Sequence, residues 1–220
     1  MNSPKTRFAP GCALMLYKPE ASVKIYNYLL KSLEDIEMHL TCCKHEPGFD
    51  EMVNIINVCP GCNKRFKNDY RHTSTVSLWE IIAESKNFPF PDYKGKKMTI
   101  LDACPTRNEN KIQEAIRTLI RKMNIDLIEP GKTREKGVCC GDSFYGTIPV
   151  GKVKFQMRKR ANEMPVDDVI VYCVSCTKSM YIGGKKPRYL IDLLLNEETV
   201  PKTLSPDLWH RELDDYIALH

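Results

Sequence analysis

Ten cysteines fall in two identical orders along a chain of 220 residues. Cys12 precedes Cys42-Cys43 and Cys59-Pro60-Gly61-Cys62. Cys104 precedes Cys139-Cys140-Gly141 and Cys173-Val174-Ser175-Cys176. Each set is one cysteine, an adjacent pair and a Cys-x-x-Cys, and the two sets use every cysteine in the sequence. Thiolate sulfur is a soft ligand that selects iron–sulfur clusters, zinc or copper(I). A Cys-x-x-Cys can bring both sulfurs to one metal centre. Adjacent cysteines diverge unless the backbone turns sharply, and Gly141 relaxes such a turn. Two adjacent sulfurs are more easily used on different atoms of a larger cluster. Five thiols also exceed the four of a tetrahedral zinc site or an ordinary cubane cluster. Adjacent cysteines make poor structural disulfides because the bond is strained. A thioredoxin-like dithiol needs a helix amino terminus at the Cys-x-x-Cys and leaves the Cys-Cys pairs unexplained. Buried thiols and structural zinc are the plainer alternatives.

The elements that must position these thiols alternate between strand and helix. Residues 8–17 form an apolar run broken by Pro10-Gly11 around Cys12. Pro19 suits a first helical turn, and Val23, Tyr26, Leu30 and Leu33 predict an amphipathic helix over 20–33. Ile36 to Leu40 alternates like a short strand leading to Cys42-Cys43, and Met52 to Val58 is a strand leading to Cys59. Thr73 to Ser85 is expected to be helical, with Ser77 and Glu80 in capping-box spacing and Val76, Trp79 and Ile82 on one face. Phe88-Pro89-Phe90-Pro91 breaks both periodicities and divides the chain into 1–91, 92–196 and a tail, 197–220.

The second stretch repeats the order. Met98 to Ala103 is a strand delivering Cys104. Thr106 and Glu109 are spaced as a capping box for a helix whose stripe is Ile112, Ala115, Ile116, Leu119, Ile120 and Met123. Ile125 to Ile128 is a strand, 151–163 a basic helix, Val169 to Tyr172 a buried strand delivering Cys173, and Pro187 to Leu195 a closing helix. The predicted fold class is α/β, two pseudo-repeated small parallel-sheet halves with flanking helices. The cysteines would converge at the carboxyl ends of the strands, where sites in such sheets form. Ser205 to Leu219 reads as a last helix with Trp209, Leu213, Tyr216 and Ile217 on its apolar side, packed on its own domain.

Composition narrows the function classes. The chain is 42% hydrophobic and 28% charged, ordinary for a globular protein. It has no apolar run long enough for a membrane span and no secretory pattern at its start, so a cytoplasmic address is expected. Thiols stay reduced there, which favours metal or redox chemistry over a disulfide framework. The net charge is +5, with basic groups at 64–71, 94–97, 152–160 and 185–188. These suit an acidic redox partner or an anionic substrate; no nucleic-acid motif accompanies them. No Gly-x-Gly-x-x-Gly or Walker motif occurs, so electrons for any redox reaction come from a partner.

The order Cys, Cys-Cys, Cys-x-x-Cys, with Pro10-Gly11-Cys12 opening the first copy and Cys139-Cys140-Gly141 in the second, resembles the cysteine-rich CCG domain of the heterodisulfide reductase B-subunit family. The resemblance covers about residues 8–195. It implies an oxidoreductase subunit that cleaves a small disulfide at non-cubane 4Fe-4S clusters, one or two per chain. It implies a flavoprotein or iron–sulfur subunit as electron donor. The implied ligands are Cys12, Cys42, Cys43, Cys59 and Cys62 for one site and Cys104, Cys139, Cys140, Cys173 and Cys176 for the other. The first copy departs from the pattern. Lys44 replaces the glycine after the pair, and the stretch 44–58 is much shorter than its counterpart, 141–172, so a helix is expected to be missing or reduced. Zinc is an alternative occupant of that first set, with His45 as an outside ligand. Lys44 could instead attract a substrate carboxylate or sulfonate. An electron-transfer module without its own substrate and a zinc-stabilised interaction protein are the competing functions. An open face and a basic groove beside the second set would favour the enzyme.

Overall fold

The computed structural model describes residues 4–33 and 35–220; residues 1–3 of the amino-terminal stretch lie outside it. Strands β1 (Lys5–Ala9), β2 (Ile36–Met38), β3 (Val53–Asn57) and β4 (Thr73–Ser77) form one fully parallel sheet in the order β2-β1-β3-β4. Strands β5 (Lys96–Leu101), β6 (Ile125–Ile128), β7 (Asp168–Val171) and β8 (Lys186–Tyr189) repeat it as β6-β5-β7-β8. The fold is therefore α/β in two pseudo-repeated halves. The central strands are apolar because both of their faces are covered: Phe8, Ile55, Ile56, Ile100, Leu101, Val169, Ile170 and Val171 are all buried.

The helices follow the same repeat. The first half carries α1 (Cys12–Tyr17), α2 (Pro19–Ser32), α3 (Pro60–Asn68) and α4 (Leu78–Glu84). The second carries a 3-10 turn (Cys104–Thr106), α5 (Asn110–Lys122), α6 (Val150–Asn162), α7 (Val174–Ile182) and α8 (Leu190–Leu194). No counterpart of α6 lies between β2 and β3 among the described residues, as the short 44–58 stretch led one to expect. The stripe expected on α5 is buried in full. Its last turn carries Arg121 and Lys122, which suit the helix dipole.

Several expectations need correction. Each half has a fourth strand where only a helix was expected. In 73–85 the β-branched Thr73, Thr75 and Val76 pair with β3, and the helix starts only at Leu78. The Ser77–Glu80 capping box does form, at the point where strand becomes helix. In 187–195 the strand β8 precedes α8, and Pro187 is tolerated because β8 is an edge strand. The first strand begins at Lys5, its exposed start hiding it from a hydrophobicity reading. On α2 the buried face is Ala21, Ser22, Ile25 and Leu29, whereas Val23 and Leu30 are exposed. Two apolar stripes compete on this helix, and the small Ala21 and Ser22 let the winning one approach closely. The Thr106–Glu109 capping box does not form. Thr106 belongs to the 3-10 turn, and its hydroxyl donates to the Ala103 carbonyl at 2.8 Å.

The two halves share one continuous core, in which Trp79 of the first meets Tyr172 of the second edge to face. Asp192 of α8, wholly buried, accepts hydrogen bonds from Tyr17 (2.8 Å), Lys18 (2.8 Å) and Thr199 (2.9 Å). This polar tie crosses from one half to the other. The last helix, α9 (Pro206–Leu219), is capped by Ser205, whose Oγ accepts from Leu208 N at 3.3 Å. It lies against both halves of the chain. Its contacts belong with the thiols below. Among the described residues no helix is long and apolar enough to cross a membrane.

Candidate thiol clusters at the two sheet edges

Every cysteine lies in the connection that leaves the carboxyl end of a strand. Cys12 opens α1 after β1. Cys42 and Cys43 lie in the loop after β2. Cys59 caps α3 after β3, with Cys62 in its first turn. In the second half Cys104 opens the 3-10 turn after β5, Cys139 and Cys140 follow β6, and Cys173 caps α7 with Cys176 in its first turn. The first strand of each sheet has the second on one side and the third on the other. The connections leaving these strands separate there and open the crevice in which open α/β sheets hold ligands.

The cysteines of each set neighbour one another in a chain, and all ten thiols are free. In the first set, neighbouring thiols run Cys12, Cys42, Cys43, Cys62, Cys59, with Cys12 and Cys42 sulfurs 3.7 Å apart. In the second they run Cys104, Cys139, Cys140, Cys176, Cys173. The order is the same position for position. Crowded thiols cannot all ionise, and each set concentrates its charge at the first cysteine of the pair. Hydrogen bonds from Cys12 and Cys43 bring Cys42 down to about 2. Those from Cys104 and Cys140, with the Ser143 hydroxyl and the Gly141 N–H, lower Cys139 strongly. The partners Cys12 and Cys104 are raised by giving those bonds and by burial. Cys59 is lowered to about 7, first by Cys62 and then, against its burial, by backbone N–H groups of the α3 amino terminus.

The second set is held by a buried hub. Asp102, two residues before Cys104, accepts two hydrogen bonds from Arg117 of α5 at 2.7 and 2.8 Å. It also accepts from Thr133 Oγ1 (2.7 Å) and Arg134 N (2.8 Å) in the loop leading to Cys139, and from the Tyr172 hydroxyl (3.1 Å) beside Cys173. One carboxylate thus joins all three cysteine-bearing segments. Burial alone would raise it, but the Arg117 bonds and charge with the other donors bring it down to about 2. Tyr172 also accepts from Ala103 N at 2.9 Å. Gly141 has φ +108°, and a Cβ there would meet Met157 N of α6 at 2.8 Å. Both the backbone and the close helix demand glycine after this pair.

The first set is held differently. Cys43 and Cys62 are packed in a small apolar cluster with Val53, Ile55 and Phe66. The Tyr70 hydroxyl donates to the Cys43 carbonyl at 2.7 Å. Gly11 has φ +81°, and a Cβ there would lie 3.3 Å from the Cys62 sulfur. Since α6 has no counterpart, nothing of its kind presses on residue 44, and Lys44 stands there exposed with its Nζ 3.6 Å from Asp214.

Helix α9 reaches both sets. His220 O accepts from Cys42 N at 2.9 Å, and His45 donates Nε2–H to the Ile217 carbonyl at 2.8 Å. His45, the outside ligand candidate, is thus engaged by the last helix. On the other side Trp209 donates to Ser175 Oγ at 3.3 Å, between Cys173 and Cys176, and His210 lies 3.2 Å from Asp142. The Lys178 ammonium sits 4.2 Å from the Trp209 ring centre, and burial lowers it to about 8. The sequence reading missed Asp102, Tyr172 and Lys178. A buried-strand tyrosine directly before a cysteine was the one available signal.

Among the described residues no three His, Cys, Asp or Glu side chains are arranged to hold a single metal ion. Each set is a string of five thiols rather than a cage around a point. Thiolate donors of this kind suit an iron–sulfur group or zinc. A cavity of about 210 Å³ opens beside Cys139. A roomier groove of about 600 Å³ between α2, the Phe88–Pro91 segment and the end of α8 has no cysteine in its lining. No protein-family model matches the chain, and a search of curated proteins finds no match.

Proposed function

We propose that each five-cysteine set holds a non-cubane 4Fe-4S cluster and that the protein is an oxidoreductase subunit of the heterodisulfide reductase B type, acting on a disulfide or related thiol. The observation that carries this reading is the identical neighbour order of the thiols in the two sets. Cys12, Cys42, Cys43, Cys59 and Cys62 would hold one cluster, and Cys104, Cys139, Cys140, Cys173 and Cys176 the other. Such a group, when bound, supplies one-electron steps at sulfur. The chain's own part is to hold the thiols at two sheet edges, through Asp102 and Tyr172 in the second half and through apolar packing in the first. Electrons would come from a flavoprotein or iron–sulfur partner. The cavity beside Cys139 supports a substrate-binding protein over a closed electron relay.

A second reading has one observation in its favour. Each Cys-x-x-Cys begins at a helix amino terminus, and Cys59 is lowered to about 7. This is the setting of a dithiol that exchanges with disulfides without metal.

Iron and acid-labile sulfide in anaerobically purified protein, with electron paramagnetic resonance of both redox forms, decide between them. About eight irons per chain are expected for two clusters and about four for one. Zinc without sulfide, or metal-free protein that still reduces disulfides, overturns the cluster reading.

A further inference from the structure

The two thiol sets are alike in order, but hydroxyl groups reach only one of them. Ser143 Oγ lies 2.9 Å from the Cys139 sulfur. On α7, Ser179 donates Oγ–H to the Cys140 sulfur at 3.3 Å. Both sulfurs of the second adjacent pair are therefore met by a hydroxyl. Among the described residues no hydroxyl meets a sulfur of the first set, where Cys42 has Cys12 and Cys43 as its side-chain partners.

The difference originates in the sequence. Four residues after the first cysteine of the pair stands Ser143 in one half and Glu46 in the other. Three residues after the last cysteine of the set stands Ser179 in one half and Arg65 in the other. Glu46 is exposed, and Arg65 is turned to Asp69 at 3.6 Å. Backbone donors do not separate the sets. Gly141 N donates to Cys139 at 3.3 Å, as Lys44 N does to Cys42. Cys59 and Cys173 alike cap a helix.

A thiolate bound to metal can only accept a hydrogen bond, so Ser143 and Ser179 are then the donors. The Ser179 hydroxyl has a rival acceptor, the Ser175 carbonyl at 3.1 Å, and a charged sulfur outcompetes it. A donor aimed at a ligand sulfur stabilises added negative charge and so favours the reduced state of an iron–sulfur group.

We propose that Ser143 and Ser179 are positioning residues that raise the reduction potential of the second set above that of the first, so that the first electron accepted by the protein rests at the second set. The proposal rests on the reading of both sets as iron–sulfur centres. The step is the passage of one electron from the flavoprotein or iron–sulfur donor to the second set, with no bond formed or broken.

The test is a reductive titration of the anaerobically purified full chain with dithionite, followed by electron paramagnetic resonance. Two midpoints are expected. Ser143→Ala is expected to lower the higher one and leave the lower one in place. The first electron is then redistributed toward the first set by about tenfold, ~59 mV for one electron. Ser143 is exposed, so this variant keeps the fold. Ser179→Ala, at a buried helical position that alanine suits, is expected to act in the same sense. Ser143→Thr keeps the hydroxyl and is expected to retain the wild-type midpoint. Midpoints unmoved in both alanine variants overturn the proposal. So do equal shifts of both midpoints, which would mean a general change of structure, and a shift confined to the lower one. Iron and sulfide are measured on the same samples. Their absence overturns the cluster reading and this proposal with it, whereas full iron with unmoved midpoints overturns this proposal alone.

Discussion

Replacing Gly141 by alanine probes how the second thiol pair is shaped. At φ +108° an L-residue is strained, at a cost of about 1–3 kcal/mol. The new Cβ would also sit 2.8 Å from both Met157 N and its Cγ. The side-chain atom can move, but the backbone nitrogen belongs to α6 and moves only with the helix, which adds about 1–3 kcal/mol of overpacking. Alanine recovers roughly 0.4–1 kcal/mol by restricting the unfolded chain. The expected net loss is about 1–5 kcal/mol, centred near 3, read as a lower urea midpoint at unchanged slope. Lys44→Gly, which restores the motif glycine in the first half, is the matched control. It removes only an exposed contact to Asp214 and is expected to cost about 1 kcal/mol or less. A Gly141→Ala protein within about 1 kcal/mol of wild type, or a Lys44→Gly protein destabilised as much as Gly141→Ala, would refute the argument that α6 is what demands the glycine.

The Asp102 hub predicts both a mutational cost and a pH signature. Arg117→Met leaves the buried carboxylate without its main cation and is expected to cost about 3–5 kcal/mol at neutral pH. In the native protein the Asp102 carboxyl lies at about 2, below its ordinary 3.8. Its contribution, about 2 kcal/mol, is present above pH 3.8 and is lost as pH falls toward 2. In Arg117→Met burial raises the carboxyl instead, so this group's contribution reverses sign and protonation relieves the variant as pH falls. Parallel stability–pH curves below pH 5 would contradict this. Trp209→Ala is expected to cost about 3–5 kcal/mol and to loosen α9 from both thiol loops. Alkylation followed by mass spectrometry should then show faster modification at Cys42 as well as Cys139, whereas acceleration confined to the second set would mean that α9 does not tie the two together.

What the sequence made legible was set by periodicity and by counting. The thiol sets needed only spacing, and the α5 stripe is regular enough that Ile112 to Ile120 could be placed on one face without a partner. Short edge strands were the failures. Thr73–Ser77 and Lys186–Tyr189 each run straight into a helix, so the helical pattern of Leu78–Ile82 and Leu190–Leu194 absorbed the residues before it. Pro187 reinforced the error, because a proline excludes a central strand and says nothing against an edge. The face of α2 was misread because two stripes satisfy the same period, and only the sheet it packs on decides between them. Asp102 and Arg117 are 15 residues apart and belong to no motif. Their pairing exists only once β5 and α5 are adjacent.

The asymmetry between the halves has a single structural source. With α6 present, the residue after the cysteine pair must be glycine, and a basic cavity forms beside that pair. With α6 absent, the constraint on residue 44 is lifted, and Cys43 and Cys62 are supported by Phe66, Val53 and Ile55 instead. Yet both sets keep the same order of neighbouring thiols, with negative charge drawn to Cys42 in one and Cys139 in the other. Shared packing cannot be the cause, since the supporting residues differ. What the halves do have in common is the strand order, β2-β1-β3-β4 in one and β6-β5-β7-β8 in the other, and the strand after which each cysteine comes. The sheet topology therefore fixes where the sulfurs meet, and the elements added around each sheet determine what else can reach them.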